Sequence, residues 1–183
     1  MKVTLILCML LVALITAGNT VNHYNSVAWG SSIVKVRQRY SGTVKKDPEN
    51  SSVTWLMQNK PSSKMSYRQF YFYKGKLFKI YVQYLGDYFT GNFVEALCTK
   101  LKNNYGTHNS IKDVSTTVKG IPLKGSEILW KGTTEVLFKV FDAYNNYGVK
   151  TGESLGALVI TSTAINKKKD TADIAKRSEE IEF

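Results

Sequence analysis

Few residues in this sequence are spaced for catalysis. One stretch, Gly152-Glu153-Ser154-Leu155-Gly156, fits the Gly-x-Ser-x-Gly pattern of a nucleophile elbow. That motif needs a strand before the serine, a helix after it, and an acid and then a histidine later in the chain. Here a Gly- and Asn-rich stretch comes before Ser154, a β-rich run follows it, and both histidines precede it. We therefore predict no serine nucleophile.

Carboxylates offer a second possible chemistry. The acidic residues that could meet in space as a general acid and a general base are Asp87, Glu95, Asp113, Glu127, Glu135 and Asp142. Nothing in their spacing brings them together. A small periplasmic hydrolase that uses a carboxylate pair is the alternative function. It would require a concave pocket with two close carboxylates, at least one of which has a raised pKa.

Metal and cofactor chemistry is not predicted. The two histidines, His23 and His108, and the two cysteines, Cys8 and Cys98, are isolated from one another. A zinc site needs a cluster of such ligands. In a phosphate-binding loop a lysine that reaches phosphate directly follows the last glycine. In the stretch 120–126, Ser126 and not a lysine follows Gly125. We assign no catalytic, cofactor-binding or metal-ligating residue.

The stretch 67–84 is the most informative about structure. Its central pair, Lys74-Gly75, suits a two-residue turn, because glycine adopts positive φ without steric cost. The pattern predicts a β-hairpin. The apolar spacing changes phase after Leu77, which predicts a β-bulge near Phe78 and Lys79. One face of the hairpin would then belong to the core and carry Phe70, Phe72, Leu77, Ile80 and Val82.

The opposite face of this hairpin carries Tyr71, Tyr73 and Tyr81, which are the candidate partner-binding residues. In the other interpretation they lean on neighbouring strands or cover a sheet face. Lysines lie between these aromatic residues, a pattern that resembles a stacking platform for single-stranded nucleic acid. The N-terminal segment argues against nucleic acid as the physiological ligand.

That N-terminal segment has the pattern of an export signal. One lysine precedes the apolar run 3–15, and the small residues 16–18 follow it. The run is shorter than the about 20 residues that a membrane span needs, and an uncleaved anchor is the other interpretation. We predict a signal peptide over 1–18, a single domain over 19–165, and a charged tail over 166–183 that is either helical or disordered. No transmembrane span is expected after cleavage.

Cysteine content and charge indicate the compartment and the partner. Cleavage would remove Cys8 and leave only Cys98, so the mature chain could form no internal disulfide, which favours a bacterial exported protein. The formal net charge is +11, and the tail contributes as many acidic as basic residues. The positive charge therefore belongs to the folded body. Such a charge suits an envelope protein or an anionic surface as partner. The basic residues are spread from Lys35 to Lys150 without a dense block, however, which favours a generally basic solvated surface.

The rest of the chain predicts an α+β fold. Amphipathic stretches predict helices over 31–42 and 92–106, and the second ends at Gly106. Residues 43–52 predict a loop, and residues 107–119 a polar connection with room for a short strand. Further strands are predicted at 53–57, 127–132, 133–141 and 155–162. The order α-βββ-α-βββ predicts a mainly antiparallel sheet with both helices on one face, and a weak internal duplication.

Short motifs resemble parts of a loose group of exported bacterial proteins, mostly uncharacterised. They are Phe70-x-Phe72-x-x-Gly75-x-Leu77, the helix end Tyr105-Gly106, the strand Trp130-x-Gly132 and the charged tail after Ser162. The opening Gly30-Ser31…Val36 is similar to the start of the helix in outer-membrane assembly lipoproteins and β-lactamase-inhibitor-like folds, but the lipoprotein cysteine is missing. This resemblance implies a non-catalytic periplasmic or secreted envelope protein and carries over no site residue.

Overall fold

A computed structural model describes residues 23–25 and 27–179, so the predicted signal peptide lies outside the described residues. The described chain forms strands, three α-helices and one 3-10 turn, Gly86–Tyr88. In chain order the elements are β1 His23–Tyr24, β2 Val27–Ala28, α1 Ile33–Arg37, β3 Thr43–Lys46, β4 Val53–Ser62, β5 Met65–Tyr73, β6 Lys76–Tyr84, α2 Gly91–Tyr105, β7 Ser110–Val118, β8 Ile121–Trp130, β9 Thr134–Tyr144, β10 Lys150–Ser162 and α3 Thr163–Glu179.

Eight of these strands form one sheet in the order β3-β4-β5-β6-β10-β9-β8-β7. Strands β3 to β6 make one meander and β7 to β10 a second, and the two meet where β6 pairs with β10. Every pairing in the sheet is antiparallel. An α+β fold with a mainly antiparallel sheet is therefore confirmed. The packing of both predicted helices on one face and the internal duplication stay predictions.

The predicted hairpin is formed by β5 and β6. Lys74 and Gly75 have φ angles of 46° and 74°, the positive values that a type I′ turn requires at both of its central residues. Tyr73 pairs with Lys76 directly beside the turn. The turn twists in the same sense as the strands that flank it, so it fixes their register.

The predicted bulge lies at Phe78. Phe72 pairs with Leu77, whereas the next residue back, Tyr71, pairs with Lys79. Phe78 is therefore the additional residue in β6, and the side chains beyond it change phase. This one insertion keeps apolar residues on the same sheet face before and after the bulge.

The larger hydrophobic core covers one face of the sheet. The side chains predicted to form its spine are all fully buried: Phe70, Phe72, Leu77, Ile80 and Val82. Val36 of α1 and Leu101 of α2 are buried in the same cluster. The second meander adds Val136 and Phe138, which have no exposed surface. Both halves of the chain thus share a single core across the seam between β6 and β10.

A smaller core lies on the opposite face. It contains Val53, Tyr73 and Phe78, against which Ile165 and Ala172 of α3 pack. The tail, for which the sequence left a helix and disorder open, is helical over 163–179. The domain boundary after residue 165 stays a prediction. None of the described helices is long and apolar enough to cross a membrane.

The two edge strands differ from the sequence-based expectation. Residues 43–52, predicted as a loop, contain β3, and the polar connection 107–119 contains the nine-residue β7. Each meander therefore has four strands instead of three. All of β3 is exposed, and in β7 only Val114 is partly buried. Edge strands solvated on both faces need no apolar alternation, so the sequence carries only a weak strand signal there.

The helix ends agree in part with the prediction. Ser32 caps α1 by accepting a hydrogen bond from the Lys35 backbone N–H at 3.3 Å, but the helix is shorter than predicted. In α2 the N-cap is Thr90, and its side chain makes no capping hydrogen bond. Gly106 ends α2 with a φ of 80°, which confirms the predicted end of the helix.

Candidate binding surface on the tyrosine face

The predicted partner-binding tyrosines lie on the sheet face opposite the larger core, because they alternate in β5 and β6 with its buried side chains. We call the part of this face that β4, β5 and β6 form the tyrosine face. Its residues are Val53, Trp55, Met57, Tyr67, Gln69, Tyr71, Tyr73, Phe78, Lys79, Tyr81 and Gln83. One end of it packs against α3, and within the described part of the chain the side chains beyond that end are partly exposed.

The three predicted tyrosines have different environments. Tyr73 is only 8% exposed and packs in the smaller core beneath α3. Tyr71 lies at the border of that core and is partly buried. Tyr81 is further along the face and is also partly buried. The rings of Tyr71 and Tyr81 therefore reach the surface, whereas Tyr73 contributes mainly to packing.

A row of aromatic and basic side chains crosses four strands. The register aligns Lys45, Trp55, Tyr71 and Lys79 on consecutive strands β3 to β6. The rings of Trp55 and Tyr71 stack with centroids 6.1 Å apart and planes 5° from parallel. Lys45 Nζ lies 5.9 Å from the Trp55 ring centroid, and Lys79 Nζ lies 4.3 Å from that of Tyr71. Each end of the stacked pair thus carries a cation in cation–π range.

A second stacked pair lies further along the tyrosine face. The rings of Tyr67 and Tyr81 have centroids 5.7 Å apart and planes at 17°. The Tyr81 hydroxyl donates to Gln83 Oε1 at 2.7 Å, and the Tyr71 hydroxyl donates to Gln69 Oε1 at the same distance. Burial is the main cause that raises the pKa of both hydroxyls. They therefore remain protonated and serve as hydrogen-bond donors instead of nucleophiles.

A groove opens beside this face, between the β3–β4 connection and α3, with a volume of about 550 Å³. Its acidic lining residues are Asp47, Glu49 and Asp173. Its basic lining residues are more numerous, and we call it the lysine groove after them: Lys74, Lys79, Lys169, Lys176 and Arg177. The groove therefore carries an excess of positive charge.

Lys79 lies in a partly buried part of the groove. Burial lowers its pKa, and the positive charge of Lys169 lowers it further, while the carboxylates of Asp47 and Asp170 partly offset both effects. The positive charge of Lys169 is neutralised within α3, because its ammonium lies 2.8 Å from Asp173 and 3.4 Å from Asp170 of the same helix. Asp173 also accepts a hydrogen bond from Asn50 Nδ2 at 3.0 Å, which connects α3 to the loop between β3 and β4. An anion placed beside Lys79 would relieve its repulsion from Lys169.

Trp55 contributes one further polar group. Its indole Nε1 is buried and has no hydrogen-bond partner within the described residues. Sequence reasoning missed Trp55 and Tyr67 as parts of this surface. The period-two spacing of Tyr67 with Tyr71 was available, but the register between strands, which stacks Trp55 on Tyr71 and Tyr67 on Tyr81, was not.

A second cavity, of about 890 Å³, lies where the Gly86–Tyr88 turn, the start of α2 and the β9–β10 connection meet. We call it the acidic cleft, and its carboxylates are Asp87, Glu95, Asp142 and Glu153. Asp142 accepts a hydrogen bond from Ser154 Oγ at 2.8 Å and pairs with Lys150 at 2.9 Å. Burial acts to raise the pKa of Asp142, but these two hydrogen bonds outweigh it and lower the pKa. The Asp142 side chain is therefore a carboxylate that holds Lys150 and Ser154 in place.

The other carboxylates considered for catalysis lie elsewhere. Glu127 pairs with Lys139 across β8 and β9, and Asp113 accepts a hydrogen bond from Ser126 Oγ at 3.0 Å. Glu135 lies on β9 outside the acidic cleft. The structure thus brings only some of the six candidates together.

The remaining candidates for chemistry are dispersed. The Gly-x-Ser-x-Gly stretch lies within β10 and is not followed by a helix at the serine. Cys98 is partly buried in α2, and burial raises the pKa of its thiol. Among the residues that the structure describes, no group of three or more His, Cys, Asp and Glu side chains is arranged to hold a metal ion.

Comparisons with protein-family models, with curated proteins and with solved structures found no match to this chain. The function is therefore inferred from the geometry and charge of the molecule itself.

Proposed function

We propose that this protein is an exported, non-enzymatic binding module that attaches to an anionic surface of the cell envelope. Its binding surface is the lysine groove together with the adjoining aromatic row, by which we mean the aligned residues Lys45, Trp55, Tyr71 and Lys79. One observation carries this proposal: the ammonium of Lys79 is partly buried above the Tyr71 ring, in a groove lined by a second lysine and by more basic than acidic side chains. A site with this arrangement is stabilised by an incoming anion.

The charge of the whole chain supports the same partner. The formal net charge is +11, so an anionic surface attracts the protein from a distance before any contact forms. The groove then offers lysines and an arginine at one place on the sheet. Export is supported by the charged, apolar and small residues of the segment 1–18.

The aromatic row supports a role in contact as well as in attraction. Trp55 and Tyr71 give a stacked, partly exposed surface between two cations. Aromatic side chains with a polar end suit a boundary that is apolar on one side and wet on the other. The tyrosine face is therefore suited to the head-group region of an anionic membrane.

The carboxylate-pair hydrolase receives less support. Such an enzyme needs a carboxyl that keeps its proton near neutral pH. In the acidic cleft, Asp142 shows the opposite shift, because Lys150 and Ser154 favour its charged form. The cleft gathers three of the six candidate carboxylates, but the lowered pKa of Asp142 does not meet this requirement.

Vesicle co-sedimentation of the mature chain tests the proposal. We expect binding to phosphatidylglycerol vesicles, less binding at high salt, and little binding to phosphatidylcholine vesicles. The double variant Lys74→Gln/Lys79→Gln should weaken binding by about 30-fold, because each lysine at an anionic membrane surface contributes about 1 kcal/mol.

The matched control is Lys100→Gln/Lys102→Gln, which removes the same charge from exposed positions of α2, the helix that packs on the larger core. It should weaken binding much less. Equal losses in the two double variants would assign binding to net charge and not to the groove. No binding to anionic vesicles at low salt would overturn the membrane partner and leave an acidic protein as the candidate.

A further inference from the structure

The two edges of the eight-stranded sheet are built differently. The edge strand β3 has four residues, two of which are Lys45 and Lys46. Short length and lysines are devices that protect a sheet edge from pairing with another chain. The opposite edge strand, β7, has nine residues, of which only Lys112 and Asp113 are charged. These devices are therefore stronger at the β3 edge than at the β7 edge, where the strand is longer and has a single lysine.

Strand β7 is regular along its whole length. All nine residues pair with β8 in one uninterrupted register, from Ser110 with Leu129 to Val118 with Ile121. It contains no proline, no glycine and no bulge, each of which would interrupt pairing on its outer side. Its outward-pointing backbone N–H and C=O groups thus form a continuous row.

The outer side of β7 is uncovered in the described chain. β8 is the element with which it makes extensive contact. Ile111 is 56% exposed and Val118 is 48% exposed, and Ile121 of β8, which pairs with Val118, is 46% exposed. Such β-branched side chains favour strand pairing, and here they are exposed at the β7 edge of the sheet.

We propose that β7 pairs with β7 of a second copy of this chain. The two strands run antiparallel about a two-fold axis at Val114, which joins the two sheets into one sheet of sixteen strands. Val114 is the middle residue of the strand, so this register pairs all nine residues of each copy.

The chemistry of this register selects a second copy as the occupant. Val114 faces its own equivalent, Lys112 faces Thr116, and Asp113 faces Ser115, so no like charges lie opposite each other. The strand itself carries one positive and one negative charge, on a chain with a net charge of +11. This edge is therefore a place where two copies can approach with little local repulsion.

Charge placed on the two-fold axis gives a direct test. Each of Val114→Lys and Val114→Glu brings two like charges opposite each other, which should raise the dimer dissociation constant by about fivefold or more. An equimolar mixture of the two variants should restore the dimer, because lysine then faces glutamate. Sedimentation velocity over a range of concentrations measures all three samples, and circular dichroism verifies that they are folded.

The control substitution is Val44→Lys on β3, which adds the same charge at the other edge and should leave the dimer intact. The proposal is overturned if the unaltered mature chain is a monomer at every concentration, as it would be if β7 received a strand from a different protein. It is also overturned if the mixture of variants stays monomeric or if Val44→Lys dissociates the dimer equally.

Discussion

The two faces of the hairpin β5–β6 are made from the same strands but have opposite properties. On one face Phe70, Phe72 and Ile80 are completely buried in the larger core. On the other, Tyr71 and Tyr81 are partly buried, and each hydroxyl is bonded to a glutamine on the same face. Partly exposed tyrosines whose hydroxyls are hydrogen-bonded can remain next to water. The first face therefore stabilises the fold, and the second is available for contact.

The tyrosine face is itself divided. At one end, the bulge turns Phe78 towards α3, and Tyr73 and Val53 complete the smaller core. Beyond that end the face is open. The helix α3 thus covers only the part of the face that carries the most apolar residues, and its border forms the lysine groove.

The largest expected effect tests whether the two faces of the hairpin contribute differently to the free energy of unfolding. Phe70→Ala should lower the free energy of unfolding by about 3–5 kcal/mol, since it removes a fully buried ring and leaves a cavity. Tyr81→Ala on the opposite face should cost clearly less, because its ring is partly exposed. Urea unfolding of both variants measures the difference. Equal losses would contradict the division of roles between the faces.

A close approach within the core face gives a second prediction. Gly156 of β10 lies directly against the ring of Phe89, so a Cβ atom there would overlap the ring. Gly156→Ala should therefore lower the free energy of unfolding by about 1–3 kcal/mol through overpacking. Gly132→Ala is the control, because its Cβ would meet its nearest neighbour, the Thr134 carbonyl oxygen, at an ordinary 3.6 Å. Thermal unfolding should separate the two, and similar losses would mean that Phe89 moves aside.

The smallest effect concerns the polar end of the core face, in the acidic cleft. The pKa of Asp142 is lowered below the ordinary 3.8 in the folded chain, so its ionised form favours folding. That contribution is complete above this ordinary pKa and is lost as the pH falls through the lowered one. Asp142→Asn should therefore be less stable than the unaltered chain near pH 7, and the gap should close below about pH 3.8.

Urea unfolding at a series of pH values measures this gap. Asp87→Asn is the control for loss of a carboxylate in the same cleft, because no ion pair of Asp87 occurs among the described residues. A gap for Asp142→Asn that persists in acid would show that shape, and not charge, explains its effect.

The hairpin could be predicted from the sequence because its determinants are local. The Lys74-Gly75 pair fixes the turn, and the change of phase after Leu77 fixes the bulge. The edge strands β3 and β7 could not be predicted in the same way. Their side chains are solvated, and their pairing depends on the strands beside them and not on their own sequence pattern. Local pattern is informative only where one face of a strand is buried.

The binding surface was predictable only in part. Tyr71 and Tyr81 follow from alternation within one hairpin, but the stacking of Tyr71 on Trp55 depends on how β4 aligns with β5. The lysine groove needs residues 47–53 and 169–177 to meet, and these are far apart in the sequence. Sequence reasoning therefore finds surfaces made within one hairpin more readily than those made between distant segments.

The seam between β6 and β10 has a consequence for the rate of folding. Neighbouring strands elsewhere in the sheet are also consecutive in the chain, so each can pair after closing a short loop. At the seam, Gln83 donates to the Gly156 carbonyl across a separation of 73 residues. The entropy lost on closing a loop increases with its length, and distant contacts slow folding. We expect each meander to collapse by itself first, and the joining of the two at β6 and β10 to limit the rate.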